Sequence, residues 1–108
     1  MDIKHRISFK DGEMLVCRDE DDTYHLSIQS IVNPLSRGNI LDHFDDERQA
    51  LDAAERFHWM YALAKENGYY LKKDCFVKPN KKEIHISVMR DGTITQEQYI
   101  LQLQEEPN

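Results

Sequence analysis

The chain has 108 residues, with 14 Lys+Arg against 20 Asp+Glu and a formal net charge of -6; 40% of it is apolar and 31% charged. That length suits one domain, because two independent cores would leave each half too small. Two Cys exclude a disulfide scaffold, 4 Gly and 3 Pro exclude collagen-like and linker chains, and the apolar and aromatic content argues against full disorder.

In chain order, the first signal is a hairpin. Ile3–Lys10 runs into Asp11-Gly12 and out through Glu13–Arg18. Asp-Gly supplies the positive φ angles of a tight two-residue turn. That turn sets Lys10 opposite Glu13, Phe9 opposite Met14 and Ile7 opposite Val16, with Ile7, Phe9, Met14 and Val16 on the core face. Asp19-Glu20-Asp21-Asp22 then reads as an exposed tip, since four adjacent acids cannot enter a core. Thr23–Ile31 alternates with period two and predicts a half-buried strand carrying Tyr24, Leu26 and Ile28 on one side. Asn33–Asn39 reads as a loop and Ile40–Phe44 as a short fourth strand.

Asp45 is the expected N-cap of a helix over about residues 46–66, with Asp46 and Glu47 in the first turn and a stop at Asn67-Gly68. At 100° per residue, Ala50, Ala54, Phe57, Tyr61 and Ala64 make one stripe. Trp59 and Leu63 fall on the opposite side, among Asp52, Glu55, Arg56 and Glu66, so this helix should have a second partner. The segment Tyr69–Lys82 is basic and aromatic. Ile84–Arg90, Asp91-Gly92 and Thr93–Leu103 read as a second hairpin, in which Glu97 would sit on the core face; a bulge, or a short helix over 95–103, fits better. Residues 105–108 read as a frayed tail.

No apolar run reaches the roughly 18–20 residues of a membrane helix, and no apolar stretch follows Met1–Arg6, so neither a membrane span nor a secretory signal is expected. Cys17 and Cys75 read as free thiols of a reducing, cytoplasmic compartment, with a single disulfide as the alternative. The five His lack zinc-like spacing, and the acidic tip lacks the Gly and Glu of a calcium loop, so no metal or other cofactor is expected. Cys75 stands near Lys72 and Lys73, which would lower its pKa, yet no nucleophile elbow or phosphate loop accompanies it.

Charge is uneven: residues 1–55 carry 13 acids and 6 bases, residues 56–108 carry 7 and 8. Three surfaces follow. Trp59 and Leu63, with Glu55 and Arg56, form a candidate protein-docking face. Asp19, Glu20, Asp21, Asp22, Asp45, Asp46 and Glu47 form an acidic array able to mimic a phosphate backbone. Lys72, Lys73, Lys78, Lys81 and Lys82, with Tyr69, form a candidate nucleic-acid contact, opposed by the acidity of the whole chain.

The expected fold is one α+β domain over 1–104, an antiparallel sheet of hairpins (about 5–6 strands) packed against one long helix. Its core would comprise Ile7, Phe9, Val16, Leu26, Ile28, Phe57, Tyr61, Ile86 and Val88. The expected function is a small non-enzymatic protein-interaction module, an accessory or inhibitory factor, docking on an unknown protein or on itself as a homodimer. Acidic mimicry of nucleic acid and nucleic-acid contact through 65–82 are the alternatives.

Overall fold

The computed structural model describes residues 2–9, 12–30 and 39–104. The loop expected at 33–39 (Asn39 apart) and the tail at 105–108 lie outside them. The described elements are β1 (Asp2–Phe9), β2 (Gly12–Arg18), β3 (Tyr24–Ser30), β4 (Asn39–Phe44), α1 (Glu47–Glu66), β5 (Tyr70–Lys72), β6 (Cys75–Val77) and β7 (Ile84–His85). A 3-10 helix (Ile86–Arg90) and α2 (Gln96–Gln104) complete the order. The fold is α+β, but it does not hold one sheet of five to six strands against one long helix. Among the described residues there are two separate sheets, of four strands in the order β1-β2-β3-β4 and of three in the order β5-β6-β7, and two α-helices. The chain divides into two compact units, Met1–Ala54 and Glu55–Asn108, with the boundary inside α1.

In the first unit β1 to β4 form an antiparallel meander. The β1–β2 pairing is displaced from the expected one: Phe9 lies opposite Gly12, Ile7 opposite Met14 and His5 opposite Val16. The two residues between the strands are Lys10 and Asp11, outside the described set. Gly12 therefore belongs to the strand. A Cβ there would lie 2.3 Å from the Gln29 carbonyl oxygen, so β3's close approach is what requires glycine. The displacement preserves parity, and Ile7, Phe9, Met14 and Val16 still share one face. Met14, Val16 and Leu26 are buried, whereas Ile7, Phe9 and Ile28 are only partly so.

The cap of α1 is Asp46 rather than Asp45: its carboxylate accepts the Arg48 N–H at 3.0 Å. At the other end the Gly68 N–H donates to the Lys65 carbonyl (3.1 Å) and the Tyr69 N–H to that of Ala64 (2.9 Å), with Gly68 at φ 85. That pairing is a Schellman motif, and it needs a residue tolerant of the left-handed region.

The second unit differs most from expectation. Residues 70–77 form a hairpin through Lys73-Asp74, with Lys73 at φ 57. Lys78-Pro79-Asn80-Lys81 is a turn closed by Lys81 N–H on the Lys78 carbonyl (3.1 Å), with Asn80 at φ 66. Asp91-Gly92 does not close a hairpin. The Asp91 carboxylate accepts the Thr93 N–H (2.9 Å) and hydroxyl (2.6 Å), turning the chain toward α2. Thr95 and Gln98 then form a reciprocal capping box: Gln98 N–H to Thr95 Oγ1 (3.1 Å) and Thr95 N–H to Gln98 Oε1 (2.9 Å). Before it, Ile86 and Met89 are buried at a spacing of three, which suits a 3-10 turn and not a strand. Phe57 and Ile86 are buried as expected; Tyr61 and Val88 are partly buried. Among the described residues, no helix is long and apolar enough to cross a membrane.

Gly12→Ala should lower stability by about 1–3 kcal/mol, the range for an overpacked interior position. Urea unfolding should show a lower midpoint at an unchanged slope. An unaltered midpoint would mean that β3 yields without resistance.

Candidate functional site

In the second unit five aromatic rings connect. Phe57 of α1 stacks on Phe76 of β6 at 5.6 Å between centroids, and Tyr61 meets Phe76 at 6.4 Å. Tyr99 of α2 lies edge-on to Phe76 at 6.4 Å, and Trp59 edge-on to Tyr99 at 5.7 Å and 78°. The second partner expected for the Trp59 side of α1 is therefore α2. Trp59 and Leu63 are partly buried. Tyr99 is fully buried, and its hydroxyl has no hydrogen-bond partner among the described residues. Burial pushes its pKa well up, and the neighbouring Tyr69 adds to that.

Of the charges expected beside Trp59, Glu55 is exposed and Arg56 is occupied: its Nε donates to the Met89 carbonyl at 2.6 Å, satisfying an end of the 3-10 helix. The basic set divides similarly. Tyr69 is buried, and its hydroxyl donates to the Leu103 carbonyl (2.9 Å) near the end of α2. Lys78 donates from Nζ to the Asn67 carbonyl (2.7 Å) and lies over the Tyr69 ring (5.8 Å). Lys72, Lys73 and Lys82 are exposed and Lys81 is partly buried. The exposed tyrosine is Tyr70, at 52%. Strand alternation along Tyr69-Tyr70-Leu71-Lys72 was the signal for it.

Every residue of the acidic array except Asp19 is exposed, and the three aspartates of the tip each take a local donor. Asp19 accepts from Nδ1 of the buried His25 at 2.8 Å. Asp22 pairs with Arg18. Asp21 accepts the Thr23 hydroxyl (2.6 Å) and N–H (3.3 Å), which hold its carboxyl below the usual range. Glu20, Asp45, Asp46 and Glu47 are exposed, Asp46 as the helix cap.

A Cys, a His and a carboxylate meet on the small sheet, which sequence spacing did not reveal. Cys75 and His85 are cross-strand partners. Asp74 Oδ1 accepts from the Cys75 thiol at 3.5 Å, and Asp74 Oδ2 lies 3.2 Å from His85 Nε2. His85 Nδ1 accepts the Ser87 N–H at 3.0 Å, so the ring proton belongs on Nε2 and no lone pair is left to activate the thiol. The lysines do not lower the Cys75 pKa as expected. Burial raises it, and the adjacent carboxylates Asp74 and Glu83 raise it further. Both cysteines are free; Cys17 is buried, and burial raises its pKa too. Among the described residues, no three of His, Cys, Asp and Glu gather as a ligand set for a metal ion. An open cleft of about 320 Å³, lined by Lys82, Glu83, Ile84, His85, Val88 and Gln102, adjoins this corner.

Comparison of the chain with protein-family models, with curated proteins and with solved structures gave no match in any of the three.

Alkylation of Cys75 by iodoacetamide should run slower at pH 8 than that of free cysteine, and Asp74→Asn should speed it severalfold by removing a charge that opposes the thiolate. A wild-type rate at or above that of free cysteine would contradict this electrostatics. Tyr99→Phe should leave stability unchanged or raise it, since it removes an unpaired buried hydroxyl. With its folded pKa raised, Tyr99 contributes stability that is fully present below about pH 10 and lost as pH rises further, where only the unfolded chain ionises. Alkaline denaturant titrations of Tyr99→Phe should therefore show a shallower loss; Tyr69, shifted the same way by burial, retains part of it.

Proposed function

We propose that the chain is a non-enzymatic protein-interaction module that docks a basic, amphipathic segment of a partner protein on the α1 face formed by Glu55, Trp59, Leu63 and Glu66. The observation that carries this reading is the position of Trp59. Its ring is held edge-on by Tyr99, while part of its surface stays accessible. A ring fixed in advance loses little freedom on binding, and tryptophans in such settings dominate interface energetics. Leu63 stands one helical turn on, and exposed Glu55 and Glu66 flank the pair. Arg56, tied to the Met89 carbonyl, holds its side chain to the 3-10 helix, so the accessible charge at this rim is acidic. An apolar pair between two carboxylates suits Lys or Arg on either side of an apolar anchor. The engaged imidazole of His85 and the raised thiol pKa values support the non-enzymatic part, and two free cysteines suit a reducing compartment such as the cytoplasm.

Trp59 is the only tryptophan, so its fluorescence reports the site directly. Titration with a synthetic Lys/Leu amphipathic peptide should shift its emission, and a Glu/Leu peptide should not. Calorimetry should show Trp59→Ala weakening the Lys/Leu complex by about 2 kcal/mol or more, the hot-spot range. The double reversal Glu55→Lys/Glu66→Lys should weaken it with the fold intact by circular dichroism. Equal binding of both peptides, or indifference to charge reversal, overturns the reading. So does concentration-dependent dimerisation abolished by Trp59→Ala, which would make a second copy the occupant.

A further inference from the structure

We infer that the outer face of the β5–β6–β7 sheet binds single-stranded nucleic acid, with a base stacked on Tyr70 and phosphates on Lys72 and Lys82. The register separates the two faces of this sheet. Leu71, Phe76 and Ile84 occupy one, Phe76 and Ile84 buried and Leu71 partly so. Tyr70, Lys72, Cys75, Val77 and His85 occupy the other; Tyr70, Lys72 and His85 are exposed, Cys75 is partly buried, and Val77, opposite Tyr70, is buried. Tyr70 and Lys72 are two residues apart on one strand, so their side chains stand about 7 Å apart on the same face. His85 lies in the same cross-strand row as Lys72, about 10 Å away at two strand spacings. His85 also lines the adjoining cleft, together with Lys82, Glu83, Val88, Gln102 and an edge of Ile84.

Charge favours this side of the chain for a polyanion. Residues 55–104 carry eight Lys or Arg against six Asp or Glu, whereas residues 1–54 carry six against twelve. The two acids on the sheet's outer side face its own groups. Asp74 holds Cys75 and His85, and Glu83 acts on Cys75. Among the described residues, Lys72 and Lys82 are exposed and form no ion pair with either acid, so their ammonium groups remain available to phosphates. An aromatic face beside an ammonium group is the arrangement on which single strands stack without regard to sequence. A duplex offers no unstacked base to Tyr70, so the surface should prefer single strands.

Anisotropy of a short labelled oligodeoxythymidine tests this. Binding should weaken about 7-fold between about 50 and 200 mM salt if two phosphates are neutralised, from the single-strand slope of about 0.7 per phosphate. Tyr70→Ala should cost roughly 10-fold, the scale of one stacked base, and Tyr70→Phe should restore it. Lys72→Gln and Lys82→Gln should each reduce the salt slope by about 0.7. Trp59→Ala should leave this binding unchanged, which separates it from docking on α1. No binding at the lower salt, indifference to Tyr70→Ala, or equally tight binding of polyglutamate would each overturn the inference, the last in favour of an acidic peptide.

Discussion

The ring of Tyr99 is where the second unit's elements meet. It touches Phe76 from the small sheet and Trp59 from α1, and it stands on a helix whose start is fixed by the Thr95–Gln98 box. Burying an aromatic side chain of about 150–250 Å² is worth about 4–6 kcal/mol by area, against about 1–3 kcal/mol for an unpaired hydroxyl. The ring wins, so an orphaned oxygen persists in the middle of the unit. The same contact decides what Trp59 can do: its Tyr99 side is taken, and only the remainder can meet a partner.

Hydrogen-bond accounting sorts the surface charges more sharply than their number does. Arg56 and Lys78 look in sequence like free cations, yet each satisfies a backbone carbonyl that a helix end or its exit leaves open. Asp19, Asp21 and Asp22 look like a solvated acidic run, yet each has a local donor. The exposed charges that stand beside an accessible aromatic ring are fewer: Glu55 and Glu66 beside Trp59, and Lys72 beside Tyr70. Net charge alone weights the acidic tip most heavily, although its three aspartates are each engaged by a neighbouring donor.

Much of the architecture was legible where the local signals agreed. An acidic cap and Asn67-Gly68 placed α1 within a residue of its ends, the Asp-Gly signal placed β1 and β2, period-two alternation placed β3, and a short strand at 40–44 was expected where β4 stands. Parity survived a register error because the turn moved by a whole residue on both strands. The second sheet was not legible, since strands of two or three residues are too short to show a period and Lys73-Asp74 is not a common turn pair. Asp91-Gly92 misled because the Asp91 carboxylate closes on Thr93 instead of leaving the turn to glycine. The box at Thr95–Gln98 was in plain view, and Glu97 out of place in a strand pointed to it. At the candidate sites, the second partner of α1 was legible from its two apolar sides. The carbonyls used by Arg56 and Lys78 were not, because they lie 33 and 11 residues away.

Two adjacent tyrosines have opposite fates in this chain. Tyr69 is sealed in and Tyr70 faces water, and only the phase of the backbone as it leaves α1 distinguishes them. Gly68 sets that phase; its missing side chain also leaves room for Lys78, whose Cε would sit 3.3 Å from a Cβ there. One residue added or removed between Gly68 and β5 would exchange the pair, drawing the outward ring inside and expelling the one that ties down α2. The length of this joint is therefore under tighter constraint than its composition, and natural variants should differ here by replacement and not by insertion.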